Sequence, residues 1–432
     1  MPRHFWVLIH RYTGLYMAFF LIVAGLSGSV LAFNNELGQW LNPPEKVAIA
    51  NTQMLDPFTL RERALSLEPH GRINTISLKP LQPGEMYTAV FEPPSEPTIA
   101  DIGWLASVKL NPYTGAAILR QTIGPGQGSD SSYWPLTRKN ILPMIAELHY
   151  SLLLGDVGVW LFGIAAMVWT IDCFVGFYLT LPPPKKNSPP TQRFTSSTIK
   201  TTTFSSIQHS FWQRWQVAWK IKWPSSIPRI NFDLHRAGGL WTWPMLLVFA
   251  WSSVYLNLLE PVYTPVMKAF FTITDFKDYP KADLKQAQAD PALDFRTAYQ
   301  IGKRLMAEQA FQKNFTVLEE QQLLYDPQKG LYLYWVATDR DISKHAGSSL
   351  LWFDADQGNF IALYLPTGEK SGDTLTNWLG ALHMARIGGL PYKLWICFMG
   401  LVVPTLSVTG VYLWLQKRRA ANLKRYSRSN TS

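Results

Sequence analysis

The sequence predicts a membrane α-helical protein, with four transmembrane helices forming two parallel repeats and two small α+β domains outside the bilayer. Three observations carry that expectation. Four apolar runs are long enough to cross a membrane, the unbalanced basic charge gathers on one side of them, and the motif opening the first run returns at the third.

The runs come first. The chain has 432 residues, and its mean hydropathy of -0.02 averages over two kinds of segment. Tyr12 to Phe33, Val157 to Leu181, Leu240 to Leu259 and Leu394 to Leu415 are apolar. About 20 such residues span a hydrocarbon core of roughly 30 Å as a helix. The stretches between them, 34–140 and 260–376, mix acids, bases and apolar residues, and each is long enough for a small domain.

Charge then orients the runs. The segment Pro182–Phe232 carries Lys185, Lys186, Arg193, Lys200, Arg214, Lys220, Lys222 and Arg229 without an acid, and the tail after Leu415 is similarly basic. Both read as cytoplasmic, which puts the N-terminus inside and the two mixed segments outside. The net charge of +10 therefore reflects topology, and no nucleic-acid partner is implied. The expected order is helix one (1–33), first external domain (34–140), outer-side helix and helix two (141–181), basic loop (182–233), helix three (234–259), second external domain (260–376), outer-side helix and helix four (377–416), and basic tail (417–432). The first run is read as a retained helix, not a cleaved signal, because its motif recurs.

That recurrence is the most informative pattern. His10-Arg11-Tyr12-Thr13-Gly14-Leu15 opens the first run and His235-Arg236-Ala237-Gly238-Gly239-Leu240 the third, an offset of 225. Leu148-His149 precedes the second run and Leu382-His383 the fourth, an offset of 234 that also maps Gly176 onto Gly410 and Tyr178 onto Tyr412. The chain reads as two copies of one unit, each leaving the cytoplasm and returning. The external segments share a plan as well. Trp104–Leu110, a turn at Asn111–Gly115 and a second strand from Ala116 answer to Ser349–Phe353, a turn at Asp354–Gly358 and a strand to Tyr364. A helical stretch precedes each, near 59–67 and 295–309.

Topology sorts the histidines into two layers. His10 and His235 begin helices leaving the cytoplasm, so they share the inner face, while His149 and His383 share the outer one. Two imidazoles on facing helices are what a haem iron takes, and two haems divide a distance that one cannot bridge. Structural zinc fits less well, because each layer offers two ligands and zinc takes about four. Interfacial histidines that merely cap a helix are the ordinary alternative for any single position. Neither Cys173 nor Cys397 lies in a C-x-x-C or C-x-x-C-H motif, so covalent haem attachment is not expected. His4, His70, His209 and His345 have no repeat counterpart and read as surface residues. Arg11, Arg236 and Arg386 stand beside the paired histidines, where they suit haem propionates or lipid headgroups equally. Asp172 lies within the second run, and Arg11 or Arg236 would be an expected partner.

The run His10-Arg11…Gly14-Leu15 followed by Gly25-Leu26-Ser27-Gly28 resembles the first helix of the PepSY-associated transmembrane family. Leu382-His383 with Ser407-Val408-Thr409-Gly410 and Lys417-Arg418-Arg419 is similar to its last helix, and Asn111-Pro112-Tyr113-Thr114-Gly115 to the turn of a PepSY domain. The resemblance implies a bacterial inner-membrane protein holding two non-covalent haem b groups. It implies reduction of a ferric siderophore in the periplasm with release of Fe(II), the electrons coming from a cytoplasmic or quinol donor. Two other readings stay open: a membrane-anchored PepSY sensor or peptidase regulator, and a siderophore or iron transporter, the latter weakened by ionisable residues that gather at the faces. The chain departs from the family pattern twice: the second helix has Asp172-Cys173-Phe174-Val175-Gly176 where the fourth has Ser407-Val408-Thr409-Gly410, and in the second external domain Asp354–Gly358 replaces the Asn-Pro-x-Thr-Gly turn.

A reporter enzyme that is active only outside the cytoplasm is expected to be silent when fused after Ser432. Activity of that fusion would contradict the orientation read from charge.

Overall fold

The computed structural model describes residues 2–69, 71–92, 104–123, 133–183, 210–276, 280–281, 283–343 and 347–429. His70, His209 and His345 lie outside the described residues, as does most of the basic loop, and His4 is exposed. In chain order the elements are α1 (Arg3–Leu31), α2 (Asn34–Leu41), α3 (Pro57–Leu65), β1 (Thr75–Ser77), β2 (Tyr87–Val90), β3 (Trp104–Leu110), β4 (Ala117–Ile123), α4 (Ile141–Ser151), α5 (Gly155–Thr180), α6 (Phe211–Trp215), α7 (Ile227–Asn257), α8 (Thr264–Phe270), α9 (Phe295–Lys313), β5 (Val317–Asp326), β6 (Leu331–Thr338), β7 (Ser349–Asp354), β8 (Phe360–Tyr364), α10 (Ser371–His383) and α11 (Gly389–Ser429). They fall into two compact units: Met1–Ala32 with Ile145–Leu259 and Leu390–Ser432, and Phe33–Met144 with Glu260–Gly389.

The first unit contains α1, α5, α7 and α11, all long and apolar enough to cross a membrane. The chain is a multi-pass membrane protein. Each helix begins before its apolar run. α1 starts at Arg3 and α7 at Ile227, so His10 and His235 sit roughly two turns inside their helices and do not begin them. Apolar composition marks only the hydrocarbon-facing part of a helix; the backbone goes on hydrogen-bonding through the polar turns beyond it.

Close helix contact rests on small residues, since lipid leaves no hydrophobic drive between apolar helices. A Cβ added at Gly25 of α1 would lie 2.5 Å from Pro404 Cδ and 2.6 Å from the Gly400 carbonyl of α11. One turn on, Ser29 Oγ donates to the Gly25 carbonyl at 2.9 Å and lies 3.1 Å from the Cys397 carbonyl. Elsewhere Trp243 Nε1 of α7 donates to the Cys173 carbonyl of α5 at 2.8 Å, and Asn231 of α7 to the Thr409 carbonyl of α11 at 3.1 Å. Between α4 and α5 the chain reverses through Leu152 and Leu153, at φ 54° and 60°, a left-handed conformation costly for leucine.

Among the described residues the second unit holds two antiparallel sheets, one of five strands in the order β1-β5-β6-β7-β8 and one of three in the order β2-β3-β4. The expected strand-turn-strand pairs are β3–β4 and β7–β8, and the expected helical stretches are α3 and α9. The two segments expected outside the membrane do not stand apart as two separate domains. β1, only three residues long, leaves the first segment and pairs with β5 of the second. A strand so short gains little within its own sheet, and here it covers an edge that β5 would otherwise leave open. α3 serves both sheets: Phe58 enters the larger core beside Tyr334 and Phe353, while Leu60 and Ala64 enter the smaller beside Tyr87 and Val108. Arg296 of α9 pairs with Asp56 at 3.1 Å, and the Arg61 guanidinium lies 4.0 Å from the centre of the Phe295 ring. Burial pushes the Asp56 carboxyl up, but hydrogen bonds from Thr59 and Arg296 outweigh this and hold it below the usual range.

The two hairpin turns have one geometry with different side chains. Asn111 Oδ1 accepts from the Tyr113 amide at 2.9 Å and Gly115 takes φ 73°; Asp354 Oδ1 accepts from the Asp356 and Gln357 amides, and Gly358 takes φ 71°. Aspartate replaces asparagine as the short acceptor, and glycine supplies the left-handed residue in both.

Gly25→Ala is expected to destabilise the chain by about 1–3 kcal/mol, because the new methyl meets backbone and a proline ring. Gly14→Ala, whose new methyl meets nothing within 4 Å, should not lower the thermal midpoint in detergent. Equal melting of the two variants would refute the α1–α11 contact.

Candidate functional site

Two histidines meet inside the membrane unit. α1 brings His10 and α7 brings His235, with ring centroids 6.1 Å apart and planes at 55°. Each Nδ1 is held by a neighbouring helix. His10 Nδ1 lies 2.9 and 3.0 Å from the two carboxylate oxygens of Asp172 on α5. His235 Nδ1 lies 3.0 Å from the Leu406 carbonyl and 3.0 Å from Thr409 Oγ, both on α11. A carboxylate and a carbonyl only accept, so both imidazoles carry a proton on Nδ1, and in the neutral ring the lone pair is then on Nε2. That is the tautomer in which Nε2 binds a metal.

Two glycines make room for the rings. A Cβ at Gly176 would lie 3.3 Å from His10 Cε1, and one at Gly410 would lie 3.2 Å from His235 Cε1. The offset of 234 relates these two glycines. Around the histidines is a cavity of about 440 Å³ lined mainly by apolar residues, including Trp169, Phe177, Trp243 and Leu406. That volume lies within the roughly 300–1,000 Å³ of cofactor sites. Arg3, Arg11, Arg236 and Lys417 also line it.

The residues fit an iron porphyrin. A metal–imidazole bond of about 2 Å on each side would be compatible with the 6.1 Å between the two ring centroids. The lining is mainly apolar and includes the cations Arg3, Arg11, Arg236 and Lys417 and the acid Asp172. Arg236 also keeps a buried Nε with no hydrogen-bond partner among the described residues.

The arginines are placed as follows. Asp233, 1 % exposed, accepts from Arg236 at 2.8 Å and from Arg229 at 3.0 Å, and Arg236 donates besides to the Val217 carbonyl. Much of the Arg236 guanidinium is therefore committed within the protein. Arg11 is partly exposed and lines the cavity. Arg386 is exposed in the second unit, its amide bonded to the Ala381 carbonyl. The expectation that Arg11 or Arg236 pairs with Asp172 is corrected: the partner is His10, supported by Thr13 Oγ 2.8 Å from Asp172 Oδ1. α5 directs Asp172 toward α1, while Asp233 has already claimed Arg236.

The second expected pair is His149 and His383. His149 lies on α4, its Nδ1 3.0 Å from Ser27 Oγ of α1. Ser27 gives its own proton to the Val23 carbonyl at 2.6 Å and so accepts from the imidazole. Gly28 faces this ring as Gly176 faces His10, its added Cβ 3.0 Å from His149 Cε1. His383 is the last residue of α10, in the second unit.

The PepSY-associated TM region family matches residues 7–417. The chain belongs to that family. No curated protein matches it. The family match spans all four helices and both sheets, so the histidine pair lies within the matched region.

Several site residues were not singled out in the sequence. Thr13, Ser27 and Thr409 stand in the quoted helix motifs without a role of their own, and Asp233 falls one position past the acid-free stretch. Asp233 did have a signal, for it stands four residues after Arg229 and three before Arg236, the spacings that meet on a helix face.

Asp233→Asn should lower stability by about 3 kcal/mol, because it leaves two neighbouring cations without their shared anion. Thermal unfolding checks this, and an unchanged midpoint would show that the cluster contributes nothing.

Proposed function

We propose that the chain is a bacterial inner-membrane electron-transfer protein that holds two haem b groups and reduces a ferric siderophore in the periplasm. The observation that carries this reading is the His10–His235 pair: two Nδ1-protonated imidazoles at bis-ligand separation, in an apolar cavity edged with cations. His10 and His235 would hold one haem, and His149 and His383 the other. Bound haem supplies reversible one-electron chemistry between ferric and ferrous iron. The protein's part is to bind, orient and keep dry. Asp172, Leu406 and Thr409 fix the imidazole tautomers, and Gly176 and Gly410 admit the rings. Arg11 and Arg236 would hold propionates at the inner layer, and Arg386 at the outer one.

The remaining assignments follow from charge and family. The basic segments favour both termini in the cytoplasm, with the sheet unit facing the periplasm. A ferric siderophore there is the substrate; its hard-oxygen chelation weakens once the metal is Fe(II), so the ion is released. A cytoplasmic protein, a quinol or a soluble flavin supplies the electrons.

Purified protein is expected to be red, with a Soret band that shifts on dithionite and two haems per chain. His10→Ala and His235→Ala should each leave one haem. A colourless folded preparation would overturn the reading in favour of a PepSY-type sensor or regulator.

A further inference from the structure

The two inner histidines stand in equivalent places but have chemically different partners. The repeat offset of 234 maps Asp172 onto Leu406. At Leu406 a backbone carbonyl and the Thr409 hydroxyl receive the His235 proton. At Asp172 both oxygens of a carboxylate receive the His10 proton, and among the described residues no Lys or Arg pairs with that acid. Asp172 is 6 % exposed, in a span where a carboxylate is expensive unless it has a use.

We propose that Asp172 is a positioning residue that lowers the reduction potential of the His10–His235 site by making His10 the stronger electron donor of the pair. This rests on the haem reading above. A hydrogen bond to an anion is roughly twice as strong as one to a neutral acceptor, and a carboxylate behind a ligating histidine raises its donation to the metal. Stronger donation favours ferric iron, as does a buried negative charge in a medium of low dielectric. Both effects have the same sign. A lower potential at this layer makes it the more ready electron donor, so the acid biases transfer toward the second layer. A purely structural Asp172 would orient the ring and leave the potential where it was.

The test is a potentiometric titration of the full-length protein in nanodiscs. The inner-layer wave is identified as the one lost in His235→Ala. Asp172→Asn keeps an acceptor oxygen but removes the charge, and it should move that wave to a more positive potential while the other stays in place. Asp172→Glu should stay close to the wild-type value. Two unmoved waves in Asp172→Asn, or equal movement of both, would overturn the proposal. If Asp172→Asn does not retain the inner haem, Leu406→Asp decides. An acid at the equivalent position should move the same wave to a more negative potential, and no shift or a positive one would overturn the idea. Wild-type protein without haem would instead sink the functional reading itself, an outcome distinct from two haems with unresponsive potentials.

Discussion

An imidazole within a bilayer must satisfy one nitrogen before the other can do chemistry. Here Nδ1 of His10, His149 and His235 is held by a different helix from the one that carries the ring: α5, α1 and α11 respectively. Each bond costs little to form, because an unpaired polar group in hydrocarbon is several kcal/mol worse. Each also fixes the tautomer and the ring's rotation. The helix arrangement is in this sense the set of placements that brings an acceptor to each Nδ1. Gly25 and Gly400 allow α1 and α11 to approach, and Gly28, Gly176 and Gly410 leave room for the imidazole edges.

The sheet unit obeys a different constraint. Two segments separated in sequence by the α4–α7 portion share a five-stranded sheet, with Phe58 and Ile76 of the first buried among Tyr332, Tyr334 and Phe353 of the second. Water allows such a unit to be held by apolar burial, with aromatic side chains supplying most of the area. Breaking the α3–α9 contact would therefore disturb both sheets, because α3 contributes to both cores.

Much of this was legible in the sequence, and what escaped did so for physical reasons. The apolar runs and the recurrence of His-Arg and Leu-His located the helices and the histidines, because hydrophobic length and a recurring motif can be read without knowing how the chain packs. The β3–β4 and β7–β8 hairpins were legible from their turn residues. The helix starts were not, since polar turns outside the hydrocarbon have no apolar signature. The partner of Asp172 was also hidden. An acid near arginines suggests an ion pair, but the direction of its side chain depends on how α5 is rotated against α1. The strand exchange at β1 depends on a pairing across more than two hundred residues, which no local pattern encodes.

The most direct test of the central claim is electron paramagnetic resonance of the oxidised, purified chain. Two imidazoles held as His10 and His235 are held should give low-spin ferric haem with bis-histidine ligation. A folded preparation showing only high-spin ferric haem, or no haem signal at all, would contradict the assignment of the histidine pair as axial ligands.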